Sequence, residues 1–107
     1  MQIDRAGWAG RAYAKYDRAA VMRIARAVAE AADQAAQHYA EWAVRETGMG
    51  VVAHKTLKNR LSAHPLVDFY QDTDLVNPKV DPDRKMVEIP KPAGVIRSRL
   101  PRPPVVA

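Results

Sequence analysis

An alanine-rich pattern with a period of three to four residues runs through residues 18–47 and stops at Gly48. Val21, Ile24, Ala25, Val28, Ala32, Ala35, Tyr39, Trp42 and Ala43 fall on it, which is the spacing of one face of an α-helix. That face is the expected core stripe, and its many alanines permit close helix–helix approach. Asp17 stands where a helix N-cap belongs, because its carboxylate can accept from the free N–H groups of the first turn. Thirty residues is long for a globular helix. A break is expected near Ala32-Asp33-Gln34, with Asp33 as the cap of the second segment. Gly48 then ends the helix, since glycine enters the left-handed region without a Cβ penalty.

The rest of the chain is expected to pack on this corner. Residues 51–63 read as a shorter helix, with Val52, Leu57 and Leu61 on one side and Lys55 and Lys58 mostly on the other. Pro65 ends it and suits the first turn of a further helix over residues 65–71, which would bury Leu66, Phe69 and Tyr70. At the other end, residues 2–16 show Trp8, Ala9, Ala12, Tyr13 and Tyr16 at helical spacing. Their expected role is packing on the next helix. Gly7 and Gly10 each weaken that helix by about 1 kcal/mol relative to alanine.

Beyond Asp72 the character changes. Residues 75–80 and 85–89 have strand composition, and Asp81-Pro82-Asp83-Arg84 between them is a β-turn with proline second. Val87 and Ile89 alternate with Met86 and Glu88, the period of a half-buried strand. The fold class is therefore mainly α with a C-terminal β-hairpin. Residues 1–72 form a helical layer, and 73–92 a hairpin. Residues 93–96 open like a buried strand, and 97–107 form an Arg/Pro-rich tail expected to be disordered.

Composition narrows the function. A chain of 107 residues holds one small domain. Only 7% are aromatic, so the side chains that give a core most of its burial are scarce. There is no cysteine, which excludes disulfides, thiolate zinc sites and a cysteine nucleophile. The formal charge is +5, but Arg97, Arg99 and Arg102 lie in the tail, and without those three the first 96 residues carry +2. Neither a nucleic-acid partner nor a membrane partner is expected. No apolar run reaches spanning length, and cytoplasmic residence follows as the expectation.

Candidate chemistry is sparse. His38, His54 and His64 lack second ligands at zinc spacing. Ser62 and Ser98 sit in no nucleophile elbow. Asp72, Asp74, Asp81 and Asp83 lack the glycine and terminal glutamate of a calcium loop. A helix, not a strand, precedes Gly48 and Gly50, which argues against a phosphate-cradling loop. No residue is assigned as catalytic, cofactor-binding or metal-ligating.

Several stretches in order resemble the coenzyme-A-acylating aldehyde dehydrogenases. They are Tyr13-Ala14-Lys15-Tyr16, residues 21–32, Ala43-Val44-Arg45-Glu46-Thr47-Gly48-Met49-Gly50, Lys55, Lys58-Asn59-Arg60, and residues 85–96, ending Pro92-Ala93-Gly94-Val95-Ile96. The resemblance spans about residues 12–96 and points to the acetaldehyde or sulfoacetaldehyde branch. It implies the N-terminal fragment of the α/β aldehyde dehydrogenase fold: a helical layer, a hairpin of the oligomerisation sheet, and the first dinucleotide-binding strand. It also implies an enzyme that forms thioesters from aldehydes with NAD(P) and coenzyme A through a cysteine thiolate. Those cofactors belong to the full-length family and none is expected on this chain. The implied partner is a homo-oligomer or an intact family subunit, met through the hairpin. After Ile96 the family continues with apolar strand residues, whereas arginines and prolines stand here. A truncated or frameshifted segment, inactive alone, is the resulting expectation. The alternative is a stand-alone helical interaction or regulatory protein whose basic, proline-rich tail engages an acidic partner.

Overall fold

A computed structural model describes residues 1–96. The expected Arg/Pro-rich tail, 97–107, lies outside them. The described chain is mainly helical with a small hairpin. Its elements are α1 (Gln2–Tyr13), α2 (Arg18–Gln34), α3 (Ala36–Thr47), α4 (Val52–Leu61), α5 (His64–Phe69), β1 (Lys79–Asp81) and β2 (Met86–Glu88). The described residues fall into two units, one of 1–24 with 71–96, the other of 25–70.

In the first unit, Asp17 caps α2 as its residue type implies. Its Oδ1 accepts from the Ala20 N–H at 2.8 Å. The Arg18 guanidinium donates to the Gln71 carbonyl, tying the start of α2 to the chain that leads into the hairpin. Helix α1 ends at Tyr13, three residues short of the expected limit. Tyr13 and Tyr16 meet edge to face at 5.7 Å. Trp8 does not pack as expected and remains 65% exposed.

The loop before the hairpin is organised by Asp74. Its carboxylate accepts from the Val76 and Asn77 N–H groups, each at 2.9 Å, and from Asn77 Nδ2 at 2.8 Å. In the hairpin, Lys79 pairs with Glu88, Val80 with Val87 and Asp81 with Met86. The expected turn is present. Asp81 Oδ1 accepts from the Arg84 N–H at 3.1 Å, and Lys85 closes the loop with φ 53°. The strands are shorter than expected because nothing extends the ladder. Val80, Val87 and Ile89 are all exposed, so the anticipated half-buried face is uncovered. Residues 93–96 take no strand geometry. A strand needs a partner to hydrogen-bond, and these have none among the described residues.

The second unit holds every buried residue of the described chain: Ala29, Ala36, Ala40 and Ala63, each 3% exposed or less. The helical period over α2 and α3 is as expected, but the buried face is not. The stripe that turns inward is Ala29, Asp33, Ala36, Ala40, Val44 and Thr47, beside the expected one, of which Val21, Ala25, Ala35 and Ala43 are half-buried. Val28, Tyr39 and Trp42 are left exposed. Small residues win the inner face because only they let backbones approach closely. The break falls at Ala35, whose φ −89° and ψ −1° flatten the turn. Asp33 makes no cap; the cap position is Ala35, which has no side-chain acceptor.

Helix α3 packs chiefly on α4, and α4 on α5. Two further links fasten α5 to α2. His64 Nε2 lies 3.0 Å from Glu30 Oε2, and Arg26 Nη1 lies 3.6 Å from Asp68 Oδ1. The expected burial by α5 is not found: Leu66, Phe69 and Tyr70 remain exposed.

Two outcomes follow from this architecture. Replacing Ala40 by leucine forces α3 away from its neighbours and lowers stability by about 1–3 kcal/mol, measured as a lower urea midpoint in the helical ellipticity. The hydrogen bonds from Asn77 and Val76 hold the Asp74 carboxyl down, from 3.8 to about 2. A depressed carboxylate pKa stabilises the loop above the usual range and loses that contribution as pH falls through about 2. Carboxyl-detected NMR titration of Asp74 is expected to show its midpoint there, with the Asn77 and Val76 amides moving together.

Candidate functional site

Two of the stretches that carry the sequence resemblance, residues 43–50 and the Lys55 to Arg60 group, form the α3–α4 corner. Helix α3 ends at Gly48, whose φ of 65° is the left-handed cap and whose N–H donates to the Val44 carbonyl at 2.8 Å. Thr47 Oγ1 donates back to the Ala43 carbonyl at 2.7 Å and accepts from the Met49 N–H at 3.2 Å. Gly50, at φ 88°, has the Lys55 side chain directly above it. A Cβ built on Gly50 would come within 2.6 Å of Lys55 Cε. Val51 is extended and α4 begins at Val52.

From α4, Asn59 Nδ2 donates to the Ala36 carbonyl at 2.9 Å. That bond ties the last turn of α4 to the first turn of α3. Along the same face Val52, Lys55, Thr56 and Asn59 are half-buried. The contact of α4 with α3 is thus made by one valine, one lysine stem and two polar side chains. Leu57 and Leu61 turn the other way and are 59% and 58% exposed. This corrects the grouping of Val52 with Leu57 and Leu61. Val52 sits roughly 140° around the helix from Leu57, and that arithmetic was available from the sequence.

A groove of about 520 Å³ lies between the two helices, with Tyr39, Trp42 and Glu46 of α3 on one wall and Lys55 and Lys58 of α4 on the other. The Tyr39 and Trp42 rings are nearly parallel, 6.1 Å apart, and His38 leans against both. The other histidines are dispersed: His54 borders the outer face of α4, and His64 is engaged with Glu30. Ser62 donates to the Lys58 carbonyl at 3.0 Å, inside its own helix end. Of the four aspartates considered for calcium, Asp74 and Asp81 are occupied by loop N–H groups. Among the described residues no three His, Asp or Glu side chains could hold a metal ion. No helix there is long and apolar enough to cross a membrane. The motif residues hold a corner together; what they offer chemically is an aromatic and cationic surface.

Comparison with known proteins gives a partial relation. The chain is 33% identical over 95 residues, 88% of its length, to the bifunctional aldehyde-alcohol dehydrogenase AdhE of Escherichia coli K12. The AdhE of Escherichia coli O157:H7 matches by the same figures. The chain spans about 11% of the length of these relatives. At that coarse level it is related to an aldehyde dehydrogenase. No family model matches it, and no solved structure does.

Gly50→Ala is expected to lower the stability of this corner by about 1 kcal/mol, read from the urea midpoint. The cost lies in the positive φ, because Lys55 can swing its flexible end aside. Adding Lys55→Ala should therefore recover less than half of the loss. Full recovery would mean that crowding, and not the backbone, sets the need for glycine.

Proposed function

We propose that these residues form the N-terminal helical layer and hairpin of an NAD(P)-dependent, coenzyme-A-acylating aldehyde dehydrogenase. On this reading the 107-residue chain by itself is inactive. The observation that carries the proposal is the length relation: 88% of this chain matches, yet it spans only 11% of the matched enzymes. The structure adds support from packing. A stretch of a larger fold should leave its large apolar side chains for the rest to cover. Here Leu57, Leu61, Phe69, Val87 and Ile89 are all more than half exposed, and the core is four alanines.

The reaction needs a thiolate to attack the aldehyde, a nicotinamide to take the hydride and coenzyme A to take the acyl group. None of the 107 residues is a cysteine, so the thiolate comes from elsewhere. NAD(P) and coenzyme A bind to other segments, and the role of this chain is scaffolding. The hairpin leaves its outer edges unpaired among the described residues, and there it meets a second copy or an intact family subunit. The substrate is an acetaldehyde-type or sulfoacetaldehyde-type aldehyde, and the compartment is the cytoplasm.

The test is an assay of the purified chain for reduction of NAD⁺ or NADP⁺ by acetaldehyde or sulfoacetaldehyde with coenzyme A, alongside denaturation. No turnover is expected, with a broad transition at low urea and strong binding of a hydrophobic dye. Turnover by the chain alone, or sharp cooperative unfolding of a dye-free monomer, would sink the proposal. Reading the DNA beyond codon 107 in all three frames checks it independently, with cofactor-binding and cysteine-bearing segments as the expected result.

A further inference from the structure

We propose that the groove between α3 and α4 binds a small zwitterion of the phosphocholine type, a quaternary ammonium joined by a short linker to a phosphate. The inference rests on how this groove divides its charge and stands apart from the enzyme family. Tyr39, Trp42 and Glu46 form the α3 wall, and Lys55, Lys58 and Asn59 the α4 wall. At about 100° per residue the three α3 side chains fall within about 60° of arc, so two rings and a carboxylate share one face. The volume of about 520 Å³ lies within the range of small-molecule sites, about 300–1,000 Å³.

Each wall selects one end of the ligand. The faces of tryptophan and tyrosine carry the negative part of the ring quadrupole, and a quaternary ammonium is weakly hydrated enough to leave water for them. The planes of Tyr39 and Trp42 differ by 15°, and His38 packs against both rings, which steadies that wall. Glu46 adds a full negative charge four residues beyond Trp42. Opposite, Lys55 and Lys58 stand three residues apart on α4, where two ammonium groups can share one phosphate. Lys55 is the better fixed of the two, because its stem lies over Gly50 and its side chain is half-buried.

The two walls do not neutralise one another. Among the described residues no ion pair joins Glu46 to Lys55 or Lys58, although all three line one groove. Opposite charges held apart across a cleft are complemented by a molecule that carries both signs in the reverse order. A simple cation would meet two lysines, and a planar aromatic anion would meet Glu46 beside the rings it stacks on. Phosphate fits the lysine end better than carboxylate, because two ammonium groups face it and it offers more acceptor oxygens.

The experiment titrates the full chain with phosphocholine in a Trp8→Phe background, which leaves Trp42 as its one tryptophan. Choline, inorganic phosphate, phosphoethanolamine and 1-naphthoate are run beside it. Phosphocholine is expected to change Trp42 fluorescence saturably and to shift the ¹⁵N amides of residues 39–46 and 55–59. Choline and inorganic phosphate should each bind at least about tenfold more weakly, and phosphoethanolamine, which lacks the methyl groups, about three- to fivefold more weakly. Glu46→Gln should weaken choline and phosphocholine but not phosphate. Lys55→Gln with Lys58→Gln should weaken phosphate and phosphocholine but not choline. Helix content is followed for each, and if one variant loses it the other decides. Phosphatidylcholine vesicles identify the source: co-flotation that phosphocholine competes away assigns a lipid headgroup, and no co-flotation assigns the free molecule. Absence of saturable phosphocholine binding, binding no tighter than that of choline or phosphate alone, tighter binding of 1-naphthoate, the two variants acting alike on choline and phosphate, or vesicle binding that phosphocholine does not compete would each overturn the proposal.

Discussion

Close approach of backbones across alanine is the constraint on which the 25–70 unit depends. Among the described residues Ala29, Ala36, Ala40 and Ala63 are sealed from solvent, and no larger side chain is. Each alanine contributes little apolar area, so burial alone gives a small stabilising term. Yet alanine also loses almost no side-chain entropy on being buried. The helices are held by short-range contact and by a few directional bonds placed around them. Asn59 to the Ala36 carbonyl and His64 to Glu30 are of this kind.

The corner at Gly48 and Gly50 turns that helix face into a two-helix unit. Gly48 releases the chain from α3 in a left-handed step, and Gly50 lets the Lys55 stem lie across the turn. Lys55 then does two jobs. Its methylenes cover backbone, and its ammonium stays at the edge of the Tyr39–Trp42 groove. The spacing Gly48, Gly50, Lys55, Asn59 is thereby explained by geometry, one position at a time. None of it requires a reacting group at the corner.

Much of the architecture was legible in the sequence, and the misses share a cause. Asp17 as a cap, Gly48 as a helix end, Pro65 in a first turn and Asp81-Pro82-Asp83-Arg84 as a turn depend on local chemistry, which a sequence carries in full. The break between α2 and α3 was placed within a few residues. The larger errors concern which side of a helix is covered; Asp33, expected as a cap, is a local exception. Val28, Tyr39 and Trp42 looked like a core stripe because large apolar residues usually find cover. Here they stay exposed, and the alanine row beside them is the inner face. Leu57 and Leu61 were grouped with Val52 on one side of α4, which helix geometry does not allow. Local rules succeed where the partner is a neighbouring backbone group. They fail where the partner is a tertiary surface that must exist somewhere in space.

A core made of methyl groups also changes how the unit responds to temperature. The heat-capacity increment of unfolding scales with the apolar surface newly wetted. Four sealed alanines wet little, so the stability curve of residues 25–70 should be shallow, without the pronounced dome that a leucine- and phenylalanine-filled interior produces. Warming or cooling by some tens of degrees then matters less to this corner than whether a neighbour occupies its outward leucines.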